Sequence, residues 1–383
     1  MRVGHLSRAG FRLSAAAAIT VALLVAAIPA AAAPPEPRPT ASGDGSLTKP
    51  VVLAHYYIWF TPGSWNRAKK DLPQIGRYSS DDIDVMKQHV TQAKAAGIDG
   101  FIVSWKSTTV LNQRLANLIT VAEELSFKLA ITYQGLDFNR KPLPTPRIAD
   151  DLDTFASTYG GHSTFDIFGK PLVVITGTPV MSEKTVAALT GSRRKQLLIL
   201  SSEKNVEGYE RIASQVDGNL YYWSSVNPHT LGKYREKLLA FGNAVRSHNG
   251  IWIAPVAPGF DARAVGGTSL VDRQNGDTLR AEWDAAMNSR PSAIGVISWN
   301  EFSENTHIEA SMNYGRRYLD VLGELTGAPS PSGGGPDSSG SGYTGGAQRA
   351  VIALGSMAAL VLVSLAVLVQ RTRRTRRAES EPA

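Results

Sequence analysis

Between residues 51 and about 325, short apolar runs alternate with longer stretches in which apolar residues recur every three or four positions. The short runs are rich in β-branched and aromatic residues. They predict strands at 51–59, 100–105, 128–134, 171–176, 197–202, 218–223, 250–257 and 293–299. The amphipathic stretches predict helices near 81–96, 111–126, 149–158, 182–190, 205–215, 230–247, 274–288 and 312–325. Eight strand–helix repeats fit an α/β fold, a (β/α)8 TIM barrel spanning 49–326. A doubly wound open sheet is the competing arrangement, but no phosphate-binding glycine fingerprint follows the first strand.

The same patterning separates the two ends from the body. Residues 1–33 join a basic start, an apolar run and a small-residue Ala30-Ala31-Ala32-Ala33 stretch, the layout of a signal peptide. An uncleaved anchor helix is the alternative there. Residues 34–48 are rich in Pro, Ser and Gly and read as a spacer, and 327–349 read as a low-complexity linker. Residues 350–370 carry no charge and are long enough to cross a bilayer as one helix. Arg371, Arg373, Arg374, Arg376 and Arg377 follow, so 371–383 read as a basic cytoplasmic tail. These signals together predict a single-pass cell-membrane protein with its barrel outside the cell.

Composition changes the picture in two places. The formal charge of +7 comes mostly from the ends; setting aside 1–33 and 371–383 leaves 32 basic against 31 acidic residues. A nearly neutral body does not offer the basic stripe that a nucleic-acid surface needs. The absence of cysteine excludes disulfides, thiol catalysis and cysteine-ligated metal. The seven histidines form no HExxH or paired-ligand spacing, and neither a GxSxG elbow nor a Walker motif occurs. No cofactor is expected.

Candidate chemistry concentrates at the strand ends. In a parallel barrel these converge on one mouth. The last strand runs into Trp299-Asn300-Glu301-Phe302-Ser303-Glu304, which sets two carboxylates three residues apart. A pair of carboxylates is the minimum equipment for glycoside hydrolysis. Trp299 offers a flat apolar face and Asn300 an amide, both suited to sugars. The first strand ends His55-Tyr56-Tyr57-Ile58-Trp59-Phe60, where alternation sends Tyr56 and Ile58 one way and Tyr57 and Trp59 the other. Ser104-Trp105, Tyr133-Gln134 and Tyr221-Tyr222-Trp223 end three more strands, a pattern suited to a carbohydrate cleft.

Trp299-Asn300-Glu301-Phe302-Ser303-Glu304-Asn305-Thr306-His307-Ile308-Glu309 resembles the W-N-E-W-x-E-G-T-x-I-E signature of glycoside hydrolase family 99. Tyr56-Tyr57-Ile58-Trp59-Phe60, Pro73-Gln74-Ile75-Gly76-Arg77-Tyr78, Ala96-Gly97-Ile98-Asp99-Gly100-Phe101, Gly169-Lys170-Pro171 and Ala257-Pro258-Gly259-Phe260-Asp261 look like the family in the same order. Phe302 departs from the signature's Trp and Asn305 from its Gly. Asn305 must therefore take a turn conformation that Gly adopts more easily. The resemblance implies a (β/α)8 retaining endo-α-mannosidase or endo-α-mannanase. By position, Glu301 is then the base on the substrate 2-hydroxyl, Glu304 the acid on the leaving oxygen, and the intermediate a 1,2-anhydro sugar. It needs no metal. The substrate-binding candidates are Tyr56, Tyr57, Trp105, Tyr222 and Asn300. Two other readings remain open at this level: an α-glucanase on a similar barrel, and a surface carbohydrate-binding protein without catalysis.

Overall fold

The computed structural model of the protein describes residues 49–329. The expected signal peptide, spacer, transmembrane segment and basic tail, and most of the linker, lie outside the described residues. Among the described residues no helix is long and apolar enough to cross a membrane.

Eight parallel strands are built from the apolar runs: β1 (Val51–Tyr57), β2 (Gly100–Trp105), β3 (Lys128–Tyr133), β4 (Leu172–Ile175), β5 (Leu198–Leu200), β6 (Gly218–Leu220), β7 (Ile251–Val256) and β8 (Ala293–Val296). They pair in the order β5-β4-β3-β2-β1-β8-β7-β6. A parallel bridge between Ser201 and Asn219 joins β5 to β6 and closes the ring. There Ser201 N donates to Gly218 O at 3.0 Å, and Leu220 N donates to Ser201 O at 2.9 Å. The interior layer includes Leu53, Ile102, Ala130, Val174, Leu200 and Ile253. The opposite face of each strand packs on the helix ring, where Phe101, Trp105, Tyr133 and Trp252 are fully buried. Strands covered on both faces read as continuous apolar runs, which is why this sheet is legible in the sequence.

The helices are α1 (Ile83–Ala95), α2 (Thr109–Glu124), α3 (Thr145–Thr158), α4 (Glu183–Thr190), α5 (Val206–Ile212), α6 (Tyr234–Ser247), α7 (Asp277–Asn288) and α8 (Arg317–Thr326). Asp82, Thr108, Ser182 and Asn205 cap α1, α2, α4 and α5 by accepting from backbone N–H groups of the first turn. All four caps close βα connections, so they fix the start of each helix beside the barrel mouth.

Three expectations need adjusting. The last strand ends at Val296, not 299. Ile297 N still donates to Val256 O and Trp299 N to His55 O, but this spacing no longer continues the β8–β1 ladder. The final helix begins at Arg317 instead of 312 because 311–315 is a turn, with Gly315 N donating to Ser311 O at 2.8 Å. That turn is tied to the β1–α1 connection: Met312 N donates to Leu72 O, and Asn313 N donates to the Asp71 carboxylate. Third, α3 starts four residues early, at Thr145, with a proline in its first turn. A short antiparallel ribbon, Phe260–Asp261 with Leu270–Val271, was not anticipated at all.

Gly218 shows what ring closure demands. Its φ is +148°, and a Cβ there would lie 2.0 Å from Ile251 O. The clash is with backbone of β7, which cannot move without opening the barrel. Gly218→Ala should therefore destabilise the protein by more than about 3 kcal/mol. Thermal unfolding tests this; a variant melting within about 2 °C of wild type would remove the closure argument.

Candidate active site

Alternation along β1 decides what the mouth receives. Val52, Ala54, Tyr56 and Ile58 face the helices, whereas Leu53 belongs to the interior layer. His55 and Tyr57 share the face of Leu53 and stand above it, toward the C-terminal end. His55 is buried, and burial pushes its pKa down to about 3, so the ring is neutral. It meets Tyr222 edge-on at 4.9 Å. Tyr222, two residues beyond β6, places its hydroxyl 2.8 Å from that of Tyr57. Trp59 stacks on Tyr57 at 4.4 Å and is 39% exposed, so an aromatic platform reaches from the barrel axis to the rim.

Glu301 and Glu304 are close enough to this phenol pair for their charges to act on it. Both carboxylates act electrostatically on Tyr57, and burial with these charges raises its phenol well above the ordinary range. The loop that carries them folds back on the strand end. Ser298 N donates to Thr306 O, Thr306 N to Glu301 O, and Glu309 N to Trp299 O. The buried Arg273 donates to Asn305 O and His307 O, both at 2.9 Å, while its guanidinium stacks over Tyr314 and Tyr318. Asp261 N, in the short ribbon, donates to Glu304 O at 2.8 Å. Asn305 takes φ +51°, the left-handed conformation that a turn at this position requires.

Glu301 is 7% exposed. Burial, and next the charge of Glu304, raise its pKa to about 7. Ser303 N–H, donating to Oε1 at 2.9 Å, and the Lys69 ammonium act the other way. Glu304 is partly buried and also raised by burial, with Arg140 drawing it down. Near neutral pH Glu301 is therefore poised to hold and exchange a proton, and Glu304 is displaced in the same direction. Among the described residues no three His, Asp or Glu side chains gather as a metal site.

Comparison with known proteins now adds to this geometry. The profile described as glycosyl hydrolase family 99 matches residues 66–322. The chain belongs to that family. A human glycoprotein endo-alpha-1,2-mannosidase-like protein is 26% identical over 281 residues, covering 65% of this chain and 60% of the relative. The rat glycoprotein endo-alpha-1,2-mannosidase is 23% identical over 265 residues, covering 63% and 56%. The chain thus spans about 60% of the length of such relatives. Two solved structures of the family 99 endo-alpha-mannosidase from Bacteroides thetaiotaomicron, one with bis-tris-propane, superpose with TM-scores of 0.64 and 0.62. They are 20% and 19% identical, and each alignment covers 72% of this chain and 96% or 98% of theirs. At that identity they speak for the barrel fold.

The family 99 motif is not gathered whole into the cleft. Glu301, Glu304, Tyr57 and Tyr222 come together at the mouth. Tyr56 does not: it is 1% exposed, stacks on Phe101 and bonds His89 Nδ1 at 3.0 Å, in the layer between sheet and helices. Trp105 is likewise turned outward, packed among Tyr133, Phe155 and Tyr159 with its indole N–H on Asn112. Trp299 packs against His89 and Phe101, not in the cleft. Asn300 is fully buried and its amide is consumed internally: Oδ1 accepts from Tyr57 N at 2.9 Å, and Nδ2 donates to Tyr57 O and to the Tyr78 hydroxyl. It has no hydrogen left for a sugar. For Tyr56 and Trp105, one residue of strand parity separates the expected direction from the observed one.

Sequence reasoning passed over His55, Lys69 and Arg140. His55 lies two residues before Tyr57, so period-two alternation could have found it. Lys69 and Arg140 reach the carboxylates from the β1–α1 and β3–α3 loops, and nothing local marks them.

The raised Glu301 pKa has a stability consequence. Between pH 4.5 and about 7 the folded state keeps a proton that the unfolded chain has lost, so stability falls as pH rises through that window. Glu301→Gln removes this term. It should stabilise the protein by ~1–3 kcal/mol at pH 8 and leave it unchanged near pH 4. Urea denaturation at both pH values measures this, and equal effects at the two would contradict a buried, proton-holding carboxyl.

Proposed function

We propose that this protein is an endo-α-mannosidase-like retaining glycoside hydrolase that proceeds through a 1,2-anhydro sugar. The observation that carries the reading is the pair Glu301 and Glu304 at the end of the last strand. Both pKa values are displaced upward, and both carboxylates act electrostatically on the Tyr57–Tyr222 phenol pair. In an α-mannoside the axial 2-hydroxyl lies opposite the leaving group. Glu301 takes the proton of that hydroxyl as O2 attacks C1. The bond from C1 to the leaving oxygen breaks, and that oxygen receives the proton of Glu304. Water then attacks C1 and gives a proton to Glu304, while the C1–O2 bond opens and Glu301 returns its proton to O2. Two displacements at C1 leave the configuration retained. Tyr57, Tyr222 and Trp59 would supply the apolar faces and hydroxyls that hold the ring.

The roles predict different losses. Glu304→Gln should cost about 100-fold or more on natural α-mannosides and much less on aryl or fluoride glycosides, whose leaving groups depart with little protonation. Glu301→Gln should abolish turnover of both kinds, because the 2-hydroxyl must be activated whatever leaves. Steady-state rates on the two substrate classes decide the matter. Equal losses for Glu304→Gln would reverse or remove its role as acid.

The reading includes a membrane tether and an extracellular barrel, supported by the uncharged run 350–370 and the five arginines after it. Protease added to intact cells should then release an active soluble barrel by cutting within 327–349. A barrel protected until the cells are lysed would reverse the orientation.

A further inference from the structure

The third carboxylate of the motif, Glu309, stands apart from the chemistry just described. It is 2% exposed and lies on the helix side of the strands, away from the cleft. Its oxygens are met by two side chains. Tyr78 O–H donates to Oε2 at 2.9 Å, and the His89 ring nitrogen Nε2 lies 3.2 Å from Oε1. A carboxylate only accepts, so both neighbours must donate to it. On the other side of the His89 ring, Nδ1 lies 3.0 Å from the Tyr56 hydroxyl. Tyr78 spends its proton on Glu309, which leaves its oxygen to accept from Asn300 Nδ2 at 3.2 Å. Asn300 Nδ2 also donates to Tyr57 O, so Oδ1 must be the atom that faces Tyr57 N.

We infer that Glu309 is a positioning residue for the catalytic pair. As the acceptor at the end of two converging hydrogen-bond chains, it holds the Tyr78 hydroxyl where its oxygen accepts the second Asn300 Nδ2 hydrogen, and so steadies an amide already oriented by Tyr57 N and O and the place of Tyr57 near Glu301 and Glu304. The inference rests on the proposed glycosidase reading. The chain Glu309–Tyr78–Asn300–Tyr57 links four elements through side chains: the β1–α1 connection, the end of β1, the strand end after β8 and the returning loop. Asn300 directly precedes Glu301, so a rotation of its side chain shifts the peptide from which the base projects. Burial and the Glu309 charge keep the Tyr78 phenol protonated, as the donor sense requires.

The test is a double-mutant cycle. Glu309→Gln keeps the shape but adds a donor where only an acceptor fits. Tyr78→Phe removes the one hydroxyl that passes the constraint to Asn300, and carries the test if the first variant does not fold. On an aryl α-mannoside, each folded variant should lose about 10- to 100-fold in kcat with KM within about threefold of wild type. The double variant should be within about twofold of the worse single one, because the two act through one chain. A merely structural role would lower the melting temperature and leave kcat per folded molecule intact. Wild-type kcat in folded variants, or losses that multiply in the double variant, overturns the inference. A wild-type protein that cleaves no α-mannoside defeats the functional reading instead. The Glu301 side chain, followed by carbon NMR through its titration, then decides: a shift of about half a unit or more from wild type in Tyr78→Phe sustains the positioning role, and an unmoved titration ends it.

Discussion

The seam between the first and last strands depends on a side chain doing the work of a backbone. The β8 ladder stops at Val296, yet Tyr57 N and O, at the top of β1, are both paired. Their partners are the Oδ1 and Nδ2 atoms of Asn300, which present a carbonyl and an N–H with the geometry of a peptide unit. Without them, two backbone groups would be buried unpaired beside the site, each costing about 1–3 kcal/mol. Aspartate at this position could not replace both bonds, since a carboxylate cannot donate to Tyr57 O. The amide thus continues the pairing of the strands into the loop, which leaves the ladder five residues before the first carboxylate without leaving Tyr57 unpaired.

The electrostatics of the mouth are arranged against stability. Glu301 is buried next to a second carboxylate, with His55 held neutral beneath the phenols and with Lys69 and Arg140 approaching only from loops. A cation closer in would lower both carboxylates and stabilise the fold, but it would leave neither able to hold a proton near neutrality. Away from the mouth several charges are paired. Arg194 meets Asp217 at 2.9 Å, and Arg114 grips Asp81 with two bonds. Glu282 is an exception among the buried carboxyls: it is raised by burial and accepts from Ala257 N.

How much of this was legible follows from range. The eight strands were read from runs of apolar residues because both faces of the sheet are covered. Tyr57 and Tyr222 meet at the mouth, since each continues the interior parity of Leu53 and Leu220. Tyr56 and Trp105 do not: an aromatic at a strand end looks the same whichever face it serves, and parity has to be anchored on an interior residue such as Leu53 or Ile102 first. Asn300 was assigned to sugar when its bonds go to a strand 243 residues away in the chain. Contacts at that distance leave no trace in local pattern. The start of α8 was misplaced for a related reason: the turn at 311–315 is set by Asp71 and Leu72, which nothing nearby in the sequence announces.

The bond from Asp261 N to Glu304 O means that the two carboxylates do not share one support. Glu301 is held from the β1 side through Asn300. The peptide of Glu304 is held from the β7 side, by a ribbon of two-residue strands at the surface of the barrel. Diversification of this scaffold therefore has two separate handles. Changes in the ribbon can re-aim Glu304 while the half of the mouth around Glu301 and Asn300 stays fixed, so one carboxylate can be moved, by drift or by selection in the laboratory, without rebuilding the other's surroundings.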